Sequence, residues 1–157
     1  MQMKNWIMGG LLTFASLVSN AASADMMNGL GQWQGHGTAY DRAGRPTSDF
    51  AVELTRAAVG PRTVETRGKI KLPNGQVLPF ESRITVNESG FVSQTARGQG
   101  SGHCFGEDLC YSYEEDGNGK AAAMTIVIDG PNEIRILTTD FEQGKPVKYT
   151  RQALTRK

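Results

Sequence analysis

Residues 62–72 and 76–86 constrain this chain more than any other stretch, because both alternate with period two. The first puts Val64, Thr66, Gly68, Ile70 and Leu72 on one face and Glu65, Arg67, Lys69 and Lys71 on the other. The second puts Leu78, Phe80, Ser82, Ile84 and Val86 opposite Glu81 and Arg83. Successive side chains of a strand point to opposite faces, so each segment reads as a strand with one dry and one wet side. The join sets the register. A two-residue Asn74-Gly75 turn would place Lys71 against Leu78 and Lys69 against Phe80, mixing the faces. A three-residue loop, Pro73-Asn74-Gly75, pairs Ile70 with Leu78, Gly68 with Phe80 and Val64 with Ile84. Pro73 supplies the φ of the first loop position, and Gly75 can take the left-handed conformation that closes a bulge. A one-residue slip would turn every side chain to the wrong face, so the three-residue loop is the prediction. It also lays the Phe80 ring over the bare backbone of Gly68.

The same alternation runs along the rest of the chain. Segment 32–40 carries Trp33, Gly35, Gly37 and Ala39 on one side, with His36, Thr38 and Tyr40 on the other. Segment 48–57 sets Phe50, Val52 and Leu54 against Asp49, Glu53 and Thr55. Further strands are predicted at 91–97, 109–114, 121–129 (Met124, Ile126 and Ile128 on one face), 133–141 and 146–155. Turn residues punctuate them at 41–46, 60–61, 87–90, 116–119, 129–132 and 143–144. The glycines of Gly98-Gln99-Gly100-Ser101-Gly102 read as an interruption. From residue 32 onward no helical apolar period persists; before it, residues 26–30 could form one short turn.

About nine strands joined by short hairpins leave two sheet edges to hide, and closing the sheet removes both. A two-sheet sandwich would need longer crossing connections. The predicted fold class is all-β: one antiparallel up-and-down barrel of about 8–10 strands.

Residues 1–24 are set apart from this domain. Lys4 precedes an apolar core from Trp6 to Val18, and Ala22-Ser23-Ala24 offers the small residues of a signal-peptidase site. The apolar run is short and broken for a transmembrane anchor, so a secreted or periplasmic protein is expected. Removing 24 of 157 residues leaves 133, a single domain at 25–157. With Lys4 gone, 16 basic residues face 16 acidic ones, and such a balance makes no electrostatic case for nucleic acid or an anionic membrane. Cys104 and Cys110, close together in an oxidising compartment, are expected to form one disulfide that pins a local loop.

The run Gly31-x-Trp33-x-Gly35-x-Gly37, opening a meander of this size, resembles the calycin superfamily: lipocalins, fatty-acid-binding proteins and nitrobindin-like barrels. The resemblance implies a lipocalin-like barrel holding a small apolar or amphiphilic molecule. It also implies that Trp33 closes one end beneath a basic residue of the last strands, Arg151 first and Arg156 second. On this reading the ligand-binding residues are Trp33, Phe50, Val52, Ile70, Phe80, Ile84, Met124 and Arg151. No His follows His103, so the haem-binding His that nitrobindin-like proteins carry near the C-terminus has no counterpart, and no cofactor is expected.

Local motifs add little chemistry. His36 and His103 read as strand and loop residues, since a metal site needs several convergent ligands. The stretch Glu114 to Lys120 lacks the spacing of a calcium loop, with Lys120 where an oxygen ligand should stand. Gly98-x-Gly100-x-Gly102 opens no helix that could cradle a phosphate. No nucleophile elbow or triad arrangement is visible. The expectation is a binding protein rather than an enzyme. The alternative is a secreted interaction or inhibitor barrel with a packed interior, which meets a protein partner through its surface or the 98–110 loop.

Overall fold

The computed structural model describes residues 29–157 apart from Glu107. The predicted leader at 1–24 and residues 26–28 of the short turn expected at 26–30 lie outside the described residues. Ten strands follow in order: β1 (Gly31–Asp41), β2 (Pro46–Gly60), β3 (Thr63–Lys71), β4 (Val77–Asn87) and β5 (Gly90–Thr95), then β6 (Gln99–Phe105), β7 (Leu109–Glu115), β8 (Lys120–Ile128), β9 (Glu133–Glu142) and β10 (Lys145–Arg156). Each pairs antiparallel with its sequence neighbour, and β1 pairs with β10, so the sheet closes as a barrel. Closure satisfies both edges that a meander would otherwise expose. Among the described residues no helix is long and apolar enough to cross a membrane.

The hairpin from β3 to β4 has the register its faces require. Ile70 pairs with Leu78, Gly68 with Phe80 and Val64 with Ile84. Leu72 and Gln76 bracket the three-residue loop, and Gly75 takes φ 83°, a left-handed value that suits glycine. The faces of β1 and β2 also agree with the alternation: Trp33, Ala39, Phe50, Val52 and Leu54 are buried.

The tenth strand, β6, occupies the stretch read as a glycine interruption. Its inward positions are Gly100, Gly102 and Cys104, and its outward ones are Gln99, Ser101 and His103. Apolar alternation is missing there because the inner face is bare backbone, part of it covered by the Phe91 ring lying over Gly102.

Two apolar clusters line the inner wall. Trp33, Phe50, Val52, Leu54, Ile134 and Leu154 form one, and Val86, Phe91 and Cys110 form the other. Ile126 packs against both. Cys104 and Cys110 are disulfide-bonded across β6 and β7 just before the loop that joins them. The bridge staples the inner wall as well as the loop.

Candidate functional site

The barrel has two unlike ends. At the first lie the start of β1 and the loops β2–β3, β4–β5, β6–β7 and β8–β9. Trp33 fills it, and its indole Nε1–H donates to the Gly29 carbonyl at 3.0 Å. Arg156, opposite Trp33 in register, places its guanidinium 4.9 Å from the ring centroid. Arg56 enters from β2 with only 8% of its surface exposed, and its guanidinium packs against the backbone of Gly29. Burial pushes the Arg56 pKa down, although a guanidinium stays charged at any ordinary pH. Val64, Ile134 and Leu154 complete a tight plug.

Above the plug the inward side chains are less completely buried. In a closed sheet an inward side chain can meet water only through the lumen. Yet Ile84, Ser112, Met124, Ile126, Ile136 and Thr138, all inward, are only half-buried. Three aromatic rings explain part of the space. Phe50, Phe80 and Phe91 lie over Gly37, Gly68 and Gly102 on the neighbouring strands, where any Cβ would collide with the ring. Rings laid flat on bare backbone cover the wall without crossing the middle.

The second end is a polar mouth. A cleft of about 590 Å³ lies between the β5–β6, β7–β8 and β9–β10 connections. Glu114, Asp140 and Lys148 line it together with Ala122 and Arg97. Thr95 donates its hydroxyl to the Glu114 carboxylate. Arg97 reaches Asp140 at 3.8 Å, a loose pair because the arginine is 78% exposed. One row deeper, the buried Ser93 hydroxyl has no hydrogen-bond partner among the described residues. Beside the mouth, the stretch 114–120 forms a hairpin turn. Asp116 accepts from the amides of Asn118 and Lys120, and these bonds hold its carboxyl below the usual range.

Of the residues named from sequence, Phe50, Val52, Ile70, Phe80, Ile84 and Met124 all face the interior, and Trp33 seals one end. Arg151 does not join them. It pairs with Thr38 and Leu137 on the outward parity of β10 and is exposed, so the expected Arg151–Trp33 contact is not made. Odd and even positions of one strand point oppositely, and Arg156 has the parity that reaches Trp33. His36 and His103 are exposed on the outer face.

The fold can be matched to solved structures. The S-type phycobiliprotein lyase CPES from Guillardia theta superposes with a TM-score of 0.73 at 10% identity, over 92% of this chain and 97% of that one. Rv2717c from M. tuberculosis gives 0.62 at 18% identity, over 87% and 97%. A protein of unknown function from the DUF3598 family of Nostoc punctiforme gives 0.63 at 12% identity, over 84% of this chain and 49% of that one. This chain therefore spans about half of the latter. The fold is calycin-like. No protein-family model matches the chain, and no curated protein does.

These likenesses correct one expectation. The absence of a catalytic motif leads to the expectation of a binding protein rather than an enzyme, yet one protein that shares this architecture is a lyase. The physical reason is visible at the mouth. Thr95, Glu114 and Asp140 come to the mouth from β5, β7 and β9, so a group of polar side chains can converge without leaving any local sequence pattern.

Sequence reasoning also missed Arg56, Ser93, Thr95, Glu114 and Asp140. Parity could have found several of them. Arg56 continues the face of Phe50, Val52 and Leu54, and Glu114 continues that of Cys110 and Ser112.

Proposed function

We propose that this protein is a calycin-type binding barrel, lipocalin-like in use, that takes a small amphiphilic molecule through the polar mouth into the lumen. One observation carries the reading: inward side chains of a closed sheet that remain half-accessible above a sealed plug. A pocket that is apolar in depth, with a few convergent polar groups, is the usual form of a small-molecule site. Ile70, Phe80, Ile84 and Met124 would touch the apolar part. Trp33, Phe50 and Val52 would act as floor and wall. A redesigned β-barrel, mFAP1, bound to DFHBI has a related fold, with a TM-score of 0.51 at 14% identity, in keeping with this use of a lumen. Export to a secreted or periplasmic location fits the leader at 1–24 and the Cys104–Cys110 disulfide.

The surface-interaction alternative has one observation in its favour. Phe105 is 65% exposed beside the disulfide loop, near the exposed Leu109 and Tyr111. It also requires a packed interior, and the half-buried inward side chains count against that.

Native mass spectrometry of the protein recovered from an exported fraction tests the binding reading. The expected result is a stoichiometric small molecule released on denaturation. A bare protein whose melting midpoint ignores alkyl acids, alcohols and amines would contradict it.

A further inference from the structure

Two of the chain's Asn-Gly pairs, Asn74-Gly75 and Asn118-Gly119, lie in exposed hairpin turns, and the two turns treat them differently. An asparagine followed by glycine is open to self-modification. The glycine carries no β-carbon to hinder its backbone nitrogen from reaching the Asn side-chain carbonyl. The reaction needs an amide N–H on the glycine that is not already donated, and an Asn side chain not held elsewhere.

At Asn74 both groups are engaged. The Gly75 N–H donates to the Leu72 carbonyl at 3.0 Å, and Asn74 Oδ1 accepts the Gln76 amide at 3.0 Å. At Asn118 neither is. The Asp116 carboxylate accepts the amides of Asn118 and Lys120, at 2.7 and 3.0 Å. The Gly119 amide between them has no acceptor among the described residues. The Asn118 side chain makes one long contact, Nδ2 donating to the Asp116 carbonyl at 3.4 Å. Space around Gly119 is open as well, since a Cβ there would meet only Gln143 Cγ, at 3.8 Å.

We propose that Asn118 is a site of spontaneous deamidation, selected over Asn74 by the fold. The Gly119 nitrogen attacks Asn118 Cγ and loses its proton to water as the new C–N bond forms. Nδ2 leaves as ammonia. Water then opens the resulting succinimide at either carbonyl, giving aspartate or isoaspartate. Water is the one co-reactant. Asn118 lines the mouth cleft together with Glu114, Glu115 and Asp116, so either product adds a carboxylate there. The isoaspartate form also lengthens the backbone by a methylene between the two amides that Asp116 holds. The proposal does not depend on the lumen holding a ligand.

Peptide mass spectrometry of the purified protein stored in neutral buffer tests it, with Asn74 as the reference inside the same molecule. In the folded protein Asn118 should convert about fivefold or more faster than Asn74. That is the factor of one backbone hydrogen bond, which Gly75 must give up and Gly119 need not. In urea, where neither turn persists, the two rates should draw together. No variant is required, so misfolding cannot spoil the comparison. Equal rates in the folded protein, faster conversion at Asn74, a ratio unchanged by urea, or no conversion at either position would each overturn the proposal.

Discussion

The plugged end and the mouth are built from the same ten strands but obey different rules. At the plug, Trp33, Val64, Ile134 and Leu154 are almost wholly buried and the two inward arginines are packed against indole and backbone. At the mouth, carboxylates, cations and alanines line a cleft of about 590 Å³. Close packing is where burial stabilises, at roughly 25 cal/mol per Å² of apolar surface. Space is where a molecule can be received. The contrast shows one closed sheet dividing its length between a packed end and a polar, less tightly filled one.

Substitutions should separate the two ends, and the largest effect belongs to the plug. Trp33→Ala should cost about 3–5 kcal/mol in urea unfolding. Ser112→Ala, halfway along the barrel, should cost under about 1 kcal/mol, because its side chain is only half-buried. A mouth-side variant as costly as Trp33→Ala would erase the distinction.

Next in size is the staple. Replacing Cys104 and Cys110 together by Ala should cost about 2 kcal/mol, as expected for a bridge that closes a short loop. Because the bridge joins the plug-side wall, the loss should appear in global unfolding, and a loss confined to the 105–109 loop would move the disulfide out of the core account.

A smaller effect discriminates between two arginines of one strand. Arg156→Ala should cost about 0.5–2 kcal/mol through its contact with Trp33. Arg151→Ala should stay within about 0.5 kcal/mol, as exposed substitutions usually do. The reverse order would restore the contact that the register denies.

The smallest effect is acid sensitivity at the mouth. Asp41 sits in the β1–β2 turn, where the Arg45 amide and side chain hold its carboxyl below the ordinary 3.8. Asp116 does the same in the β7–β8 turn through the amides of Asn118 and Lys120. Both folded values lie below the unfolded ones. Their stabilisation is therefore complete above 3.8 and is lost as pH falls below it through the folded values. Amide exchange should quicken in these two mouth turns on acidification before it does around Trp33. Uniform loosening would show that the ends are not independent.

How much of this was legible in the sequence differs by element. The β3–β4 hairpin could be read to the residue, because two opposed faces and Pro73-Asn74-Gly75 admit one register. The β6 strand was not, since alternation is a signal carried by apolar side chains and its inward row is glycine above Cys104. The site was readable only in part. Phe50, Phe80 and Met124 announce an inner wall by hydrophobicity, whereas Thr95, Glu114 and Asp140 become a group only when β5, β7 and β9 meet at one mouth. The resemblance points to Arg151 ahead of Arg156, and strand parity decides for Arg156.

The central claim is an open lumen above a sealed plug, and Met124 tests it without any substitution. Oxidation of Met124 by dilute hydrogen peroxide, followed by peptide mass spectrometry against a methionine dipeptide in the same tube, reads access to the inner wall. The account predicts a rate within about tenfold of the dipeptide, since exposure governs thioether oxidation. A rate below it by about a hundredfold or more would mean a filled barrel and contradict the account.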